Sequence, residues 1–333
     1  GVGKTTAAAA FALALATERP KQKILLFSTD PAHSLSDSFE EKIGPLKRRV
    51  AGLKNLDAME IDPGKWFEDL KQRYRSWTDS LFSSLAHGSG LEVKFDREAM
   101  RELVELTPPG IDEIAALGTI SDLLDQDRYH TIVLDTAPTG HLIRFLELPQ
   151  VALDWVRTFI KLLLKYQHVV HASQVAEELV AMSKSIKRVL VLLKDSTLCE
   201  FVGVAIPERM SLLETIDLSA AVARLQVLFF RILINGVVPE EAAAQCKFCD
   251  SRRSSQGSII KEFRQKLGKS VDLLVCPQRE REITRSDLLL KHFHSWQRLN
   301  KPTELRRTAR AVKNVSRVGR TNDRKRTKKV AGK

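Results

Sequence analysis

Apolar and polar positions along this chain fall into two alternating patterns. Short apolar runs of strand length recur at 24–28, 131–135, 189–193, 201–206, 230–235 and 271–276, and most are separated by stretches of helical periodicity. An alanine-rich segment from Lys4 onward reads as a buried helix. Strands alternating with helices predict an α/β fold with a doubly wound, mostly parallel sheet. In such sheets ligands collect beyond the carboxyl ends of the strands. Several runs end there in polar or special residues: Asp30 after Phe27 and Ser28, Asp135 after Leu134, Pro207 and Glu208 after Ile206, and Asn235 after Ile234.

Two long helical regions interrupt the pattern, at 63–127 and 148–187, and predict an inserted helical subdomain. The second carries Leu153, Trp155, Phe159, Leu162, Leu163, Leu164, Val169 and Val170 on more than one face. A helix apolar on several faces either closes a core or docks something apolar. No run approaches the roughly 18–20 apolar residues of a spanning helix, and 225–238 is cut by Arg231 and Asn235. The run 7–16 resembles a signal-peptide core but follows Gly3, Lys4, Thr5 and Thr6, without a basic leader.

With 333 residues, 43% of them apolar, the chain can bury one large core. Its net charge of +12 changes the picture only at one end. Residues 301–333 hold 13 Lys and Arg against Glu304 and Asp323, so that segment carries +11 and residues 1–300 are nearly neutral. The division expected is a domain over 1–300 and a basic tail over 301–333 that reads as disordered. The tail is either a solvated extension or a contact for RNA, ribosomes or anionic lipid. Cys199, Cys246, Cys249 and Cys276 do not form a disulfide framework in a chain of this size, which points to a reducing compartment such as the cytoplasm.

Candidate chemistry begins at the first residue. Gly1-Val2-Gly3-Lys4-Thr5-Thr6 is the second half of the Walker A pattern, placed directly before the alanine-rich helix. Its glycines let backbone N–H groups wrap phosphates and the helix N-terminus adds partial positive charge. Lys4 would reach the β- and γ-phosphates of ATP, the Thr5 hydroxyl would ligate Mg2+, and Thr6 would reach the α-phosphate. Two further motifs follow apolar strands: Ser28-Thr29-Asp30-Pro31-Ala32-His33-Ser34 and Asp135-Thr136-Ala137-Pro138-Thr139-Gly140-His141. Phosphoryl transfer to water needs in-line positioning and charge neutralisation, which suits Asp30 to the water and Asp135 to the hydrated metal.

These three motifs, in this order, resemble the P-loop and switch segments of the ArsA and tail-anchored-protein-targeting ATPases, the deviant Walker A class of SIMIBI-like P-loop NTPases. The likeness continues through Pro109 to Glu113, Arg144 to Pro149, Ile206 to Glu208, Glu214 and Thr215, and Cys246 to Arg253, covering about residues 1–295. The resemblance implies ATP hydrolysis, with Asp30 activating water, Lys4 on the phosphates and Asp135 holding Mg2+ through water. It also implies Asn235 reading the adenine and Pro277 in the loop beside it. Asn235 read by itself has an alternative as a satisfied strand-end amide. The family's loop opens with a glycine and a signature lysine preceded by a first strand. This sequence begins at Gly1 and reads as a fragment of a longer product, whose restored form is expected to turn over faster.

Cys246-Lys-Phe-Cys249 is a single C-x-x-C, which cannot complete a tetrahedral zinc site alone. The resemblance implies two subunits of a homodimer clamping one Zn2+ with this pair. A redox pair and unpaired surface thiols are the alternatives. Trivalent arsenic needs soft thiolates, and three are hard to assemble here. His141, which matches a histidine of the arsenic site, therefore reads as a hydrogen-bonding part of its switch. Cys199 and Cys276 read as structural. Three functions follow: an ATPase driving transport or targeting, with a membrane-pump subunit or an apolar client segment as partner; a nucleotide-regulated chaperone or binding module; and a partitioning-type ATPase touching nucleic acid through its basic tail.

Overall fold

The computed structural model describes residues 1–29, 34–61, 72, 119–120, 123, 129–136, 157, 173–268 and 271–299. Outside them lie Asp30, the 109–113, 137–141 and 144–149 motif segments with His141, nearly all of the 63–127 insertion and of the proposed docking stretch 153–170, and the basic tail.

The chain opens with helix α1 (Lys4–Glu18), followed by strand β1 (Ile24–Ser28) and the short helix α2 (Ser34–Phe39). Strands β2 (Arg48–Arg49), β3 (Leu56–Glu60) and β4 (Thr131–Asp135) come next, then the long helix α3 (Ser173–Lys194). The second half runs β5 (Phe201–Ala205), α4 (Arg209–Arg224), β6 (Phe229–Val237), α5 (Glu240–Gln245), α6 (Lys247–Leu267), β7 (Asp272–Pro277), α7 (Arg285–His294) and β8 (Gln297–Arg298). Among the described residues the strands form two four-stranded sheets, ordered β2-β3-β1-β4 and β5-β6-β7-β8. In each, three strands are parallel and the end strand, β2 or β8, is antiparallel.

Strand β1 is buried at all five positions because helices cover both faces of its sheet. Ile24 and Leu26 point with Leu56 and Ala58 into a cluster filled by Ala9, Leu13, Leu35 and Leu289, from α1, α2 and α7. Leu25, Phe27 and Met59 point the other way, against Val189 of α3 and Leu218 and Val222 of α4. The second sheet is also covered on both faces, by Leu212 of α4 and Phe263 of α6 on one side. On its other side Ala7 of α1 meets Leu233 and Cys276. Helix α1 therefore lies against both sheets, and its alanines allow the close approach. Its C-terminal end is held by Asn55, whose amide nitrogen lies 2.9 Å from the Ala16 carbonyl.

Two expectations need correction. The apolar run 189–193 is the last turn and a half of α3, not a strand, so the helical region of 148–187 extends to Lys194. Val189 is buried while Val191 is largely exposed, the one-sided burial of a surface helix, and a five-residue apolar run cannot separate the two states by itself. Strand β3, conversely, was hidden by its composition, because Asp57 and Glu60 break the apolar run. Both acids have partners distant in sequence: Tyr129 donates to Asp57 at 2.8 Å, and Glu60 serves α2. No helix among the described residues is long and apolar enough to cross a membrane.

Candidate functional site

The site lies where α1 begins. Gly3 caps the helix in the left-handed region, at φ 85°, a conformation that favours glycine. A Cβ on Gly3 would also fall inside the van der Waals radius of Asn235 Nδ2. Both restrictions place the backbone of Gly1 to Gly3 directly against the end of β6. The first turn of α1 carries no side-chain cap and no acidic residue, so its N–H groups face outward with the positive end of a 15-residue helix behind them. Lys4 and Thr5 stand on this first turn.

Three parallel strands end beside it. The pairing register puts Ser28 of β1 level with Glu60 of β3 on one side and Asp135 of β4 on the other. Both acids are deeply buried, Glu60 at 0% and Asp135 at 2% exposure. Ser28 Oγ donates to Asp135 Oδ2 at 3.0 Å, and the Thr29 N–H donates to the Asp135 carbonyl at 3.0 Å, so β1 is tied to β4 where the strand leaves the sheet. Asp30 follows Thr29 immediately. Helix α2 then brings Ser34 back to the phosphate loop, with its hydroxyl 3.1 Å from Thr5 Oγ1. Thr5, Ser34, Ser28 and Asp135 thus belong to one connected end of the sheet.

The second sheet supplies a cleft of about 210 Å³ whose walls include Gly1, Val2, Glu208, Asn235 and Gln278. It adjoins a larger hollow of about 430 Å³ between the start of α4 and α6, reached past Pro207 and Arg252. Asn235 Nδ2 donates to the Val2 carbonyl at 3.1 Å, so the end of β6 and the phosphate loop are joined directly. Gln256 of α6 holds the turn after Asn235, accepting from Val238 N–H at 2.8 Å and donating to the Gly236 carbonyl at 3.1 Å. Pro277 ends β7 opposite Val237, and its neighbour Gln278, not Pro277 itself, lines the cleft.

The cysteines differ in exposure: Cys246 is exposed, Cys249 and Cys199 are half-buried, and Cys276 is buried. Cys276 is buried with its Sγ 3.4 Å from His292 Nδ1. Burial pushes this thiol up to about 11 and the imidazole down to about 4, so both are neutral near pH 7. Burial, and after it the Glu200 carboxylate, raises Cys199 to about 11. Cys246 is exposed at the N-cap of α6, and the N–H and thiol of Cys249 hold it below the ordinary thiol range. The same hydrogen bond raises Cys249. No group of three metal-ligating acidic, His or Cys side chains forms among the described residues.

Of the residues predicted from sequence, Gly1 to Thr5, Asn235 and Asp135 are brought to one region. Cys246 and Cys249 stand on α6, whose other residues border the adjoining hollow. Glu60, Gln256 and Gln278 were not singled out, and Ser28 was named only as the start of a motif. The rule that flagged Asp135, a polar residue closing a strand, would have flagged Glu60 had β3 been recognised.

Similarity to known proteins agrees with this geometry. Residues 1–294 match the family of anion-transporting ATPases, the ArsA ATPases. The chain is 32% identical over 313 residues to the ATPase GET3 of Podospora anserina, covering 88% of each protein. It is 31% identical over 302 residues to the ATPase GET3 of Rhodotorula glutinis, covering 87% of this chain and 83% of the relative. To ATPase ASNA1 homolog 1 of Paramecium tetraurelia it is 29% identical over 303 residues, covering 86% of each. With Gly1 to Thr5 at the α1 N-terminus, two buried strand-end acids and a cleft at Asn235 already in place, this match means that the chain belongs to the ArsA family of anion-transporting ATPases and is an ATPase.

Proposed function

We propose that this ATPase hydrolyses Mg2+-bound ATP at the α1 N-terminus and uses the cycle, as a homodimer in the cytoplasm, to target apolar client segments. The observation that carries the reading is the link from Thr5 to Ser34, beside Ser28 and Asp135, because it joins the phosphate loop to both switch segments at one sheet end.

The donors there are oxygens: the Thr5 and Ser34 hydroxyls and the Asp135 carboxylate. Such hard donors fit Mg2+, which keeps several waters and takes its remaining ligands from phosphates and one or two side chains. Thr5 would hold the metal directly and Asp135 through water; bound there, the metal neutralises charge on the β- and γ-phosphates. The N–H groups of Gly1 to Gly3 and the first turn of α1 receive the phosphates, and Lys4 meets the charge that grows on the leaving oxygen. Asp30, directly after Thr29, orients the attacking water. Asn235 and the Gln278 loop border the base, and the Asn235 amide exchanges its bond to Val2 for one to adenine.

Turnover and binding by two variants test this assignment. Asp30→Asn retains ATP affinity and loses most turnover, whereas Lys4→Ala loses nucleotide binding. Full turnover by Asp30→Asn would remove that residue from the mechanism.

For the cargo, all four cysteines have known positions and they do not gather into a three-thiol arsenite site, which favours a client over an oxyanion. Capture of a transmembrane peptide, abolished by Phe159→Asp or Leu163→Asp, supports that reading, and arsenite-stimulated hydrolysis contradicts it. Zinc held between Cys246 and Cys249 of two copies would join the dimer. The pair one helical turn apart, Cys246 exposed with its thiol held below the ordinary range and Cys249 half-buried, suits the purpose. One zinc per two chains, with dissociation on chelation, is the expected result. A second reading, nucleic-acid contact, rests on the +11 carried by residues 301–333. Deleting the tail abolishes a steeply salt-dependent RNA affinity only if that reading holds.

A further inference from the structure

Glu60 is the most deeply buried carboxylate of the site, and no step described above uses it. It closes β3 level with Ser28 and turns toward α2. Its Oε1 accepts the Leu35 N–H at 2.8 Å and the Ser36 N–H at 3.2 Å, and its Oε2 accepts the Ser36 hydroxyl at 2.9 Å. The Ser36 hydroxyl in turn accepts the Ile43 N–H at 3.0 Å. The Glu60 backbone is fixed as well, its N–H donating to the Gly44 carbonyl at 3.0 Å.

Helix α2 has only six residues, too few to hold its own shape in water. Its first N–H groups are orphans of the kind an N-cap side chain normally satisfies from within the helix. Here the cap comes from a strand 24 to 25 residues away in sequence. The residue immediately before those two N–H groups is Ser34, whose hydroxyl meets Thr5.

We propose that Glu60 is a positioning residue of the ATPase site. By capping α2 from the end of β3 it sets the Ser34 hydroxyl against Thr5, and so fixes the metal-facing side of the phosphate loop. This rests on the assignment of Thr5 and Ser34 to the Mg2+-nucleotide site. Glu60 touches neither nucleotide nor water in the reaction. It acts through the placement of α2 and of the Ser34 hydroxyl at its start.

The test uses the full chain and reads three quantities: nucleotide bound per chain, turnover per bound nucleotide, and the Mg2+ dependence of ADP affinity. In Glu60→Leu, which leaves an apolar side chain in place and removes both acceptors, turnover per bound nucleotide falls about tenfold, the scale of one lost charge-assisted hydrogen bond. The gain in ADP affinity on adding Mg2+ shrinks by a similar factor, while ADP affinity without Mg2+ stays within about threefold. Glu60→Gln recovers most of the loss. Its carbonyl serves the two N–H groups, its NH2 donates to Ser36 Oγ, and the Ser36 hydrogen turns to the Ile43 carbonyl, 3.2 Å away. A residue that only stabilised the fold would lower the number of competent chains and leave turnover per bound nucleotide and the Mg2+ dependence unchanged. That outcome overturns the proposal.

Should Glu60→Leu not fold, Glu60→Asp withdraws the same carboxylate by one methylene. Combined with Ser34→Ala it should lower turnover no further than the worse single variant, since both act on one hydroxyl. Losses that multiply would overturn the proposal. Absence of Mg2+-ATP binding by the unaltered chain would instead sink the site assignment beneath it.

Discussion

Replacing Gly3 by alanine should damage nucleotide binding far more than its single methyl suggests. At φ 85° alanine pays roughly 1–2 kcal/mol to enter the left-handed region. The new Cβ also overlaps Asn235 Nδ2, which is anchored on both sides: it donates to the Val2 carbonyl at 3.1 Å while its Oδ1 accepts the Gly236 N–H at 3.0 Å. Displacing the amide forfeits at least one of these bonds, worth about 0.5–1.5 kcal/mol. The sum is about 1.5–3.5 kcal/mol; a free loop that gives way to relieve it must take up the strained form again on binding, roughly a 10- to 400-fold loss of ATP affinity. Titration calorimetry of ATP into the chain and into Gly3→Ala measures it. Gly257→Ala is the control: nothing lies within 4 Å of its added Cβ, and inside α6 it should raise stability by about 0.5–1 kcal/mol without touching affinity. ATP affinity in Gly3→Ala equal to that of the parent would refute the view that the loop is locked against β6.

The other expectations are narrower. Asn235→Ala should weaken ATP binding about tenfold, the scale of one well-made hydrogen bond, and reduce preference for ATP over GTP, measured by competition. Cys246 should be alkylated with a pH midpoint below that of a free thiol, while Cys276, buried and raised to about 11, stays unmodified in the native protein; mass spectrometry after iodoacetamide at several pH values separates the two. His292, lowered by burial to about 4, stays neutral in the fold but gains a proton in the unfolded chain near 6.5. Its contribution is therefore complete above pH 6.5 and is lost as pH falls from about 6.5 to about 4, by about 3 kcal/mol at most. Urea melts at pH 7 and pH 5 should show about 2 kcal/mol of that drop, and His292→Phe should flatten it.

The legible parts of the molecule were those written in consecutive residues. Strands β1, β4, β5, β6 and β7 show as apolar runs of strand length, β1 because it is buried at every position, and the phosphate loop shows as two glycines followed by Lys4 and Thr5. Strand β3 did not, since Asp57 and Glu60 are tolerated only through Tyr129 and the α2 backbone, partners that no local window contains. The run 189–193 misled for the opposite reason: five apolar residues with valines look like a strand until the amphipathic turns before them are counted. Within the site, the residues that stand in motifs were legible and those held by long-range hydrogen bonds were not. Glu60, Gln256 and Ser28 act through hydrogen bonds to elements far away in sequence, whereas Lys4 and Asp135 belong to motifs whose spacing is itself the signal.

The central claim is that Thr5, tied to Ser34 and backed by Ser28 and Asp135, forms the metal-facing side of the ATP site. It is tested most directly by comparing how Mg2+ changes ADP affinity in the parent chain and in Thr5→Ala. The account predicts at least about a tenfold tightening by Mg2+ in the parent, on the scale of losing one ligand to a charged centre, and little or none in the variant. Equal tightening in both would mean that the metal, and with it the reacting phosphate, sits elsewhere.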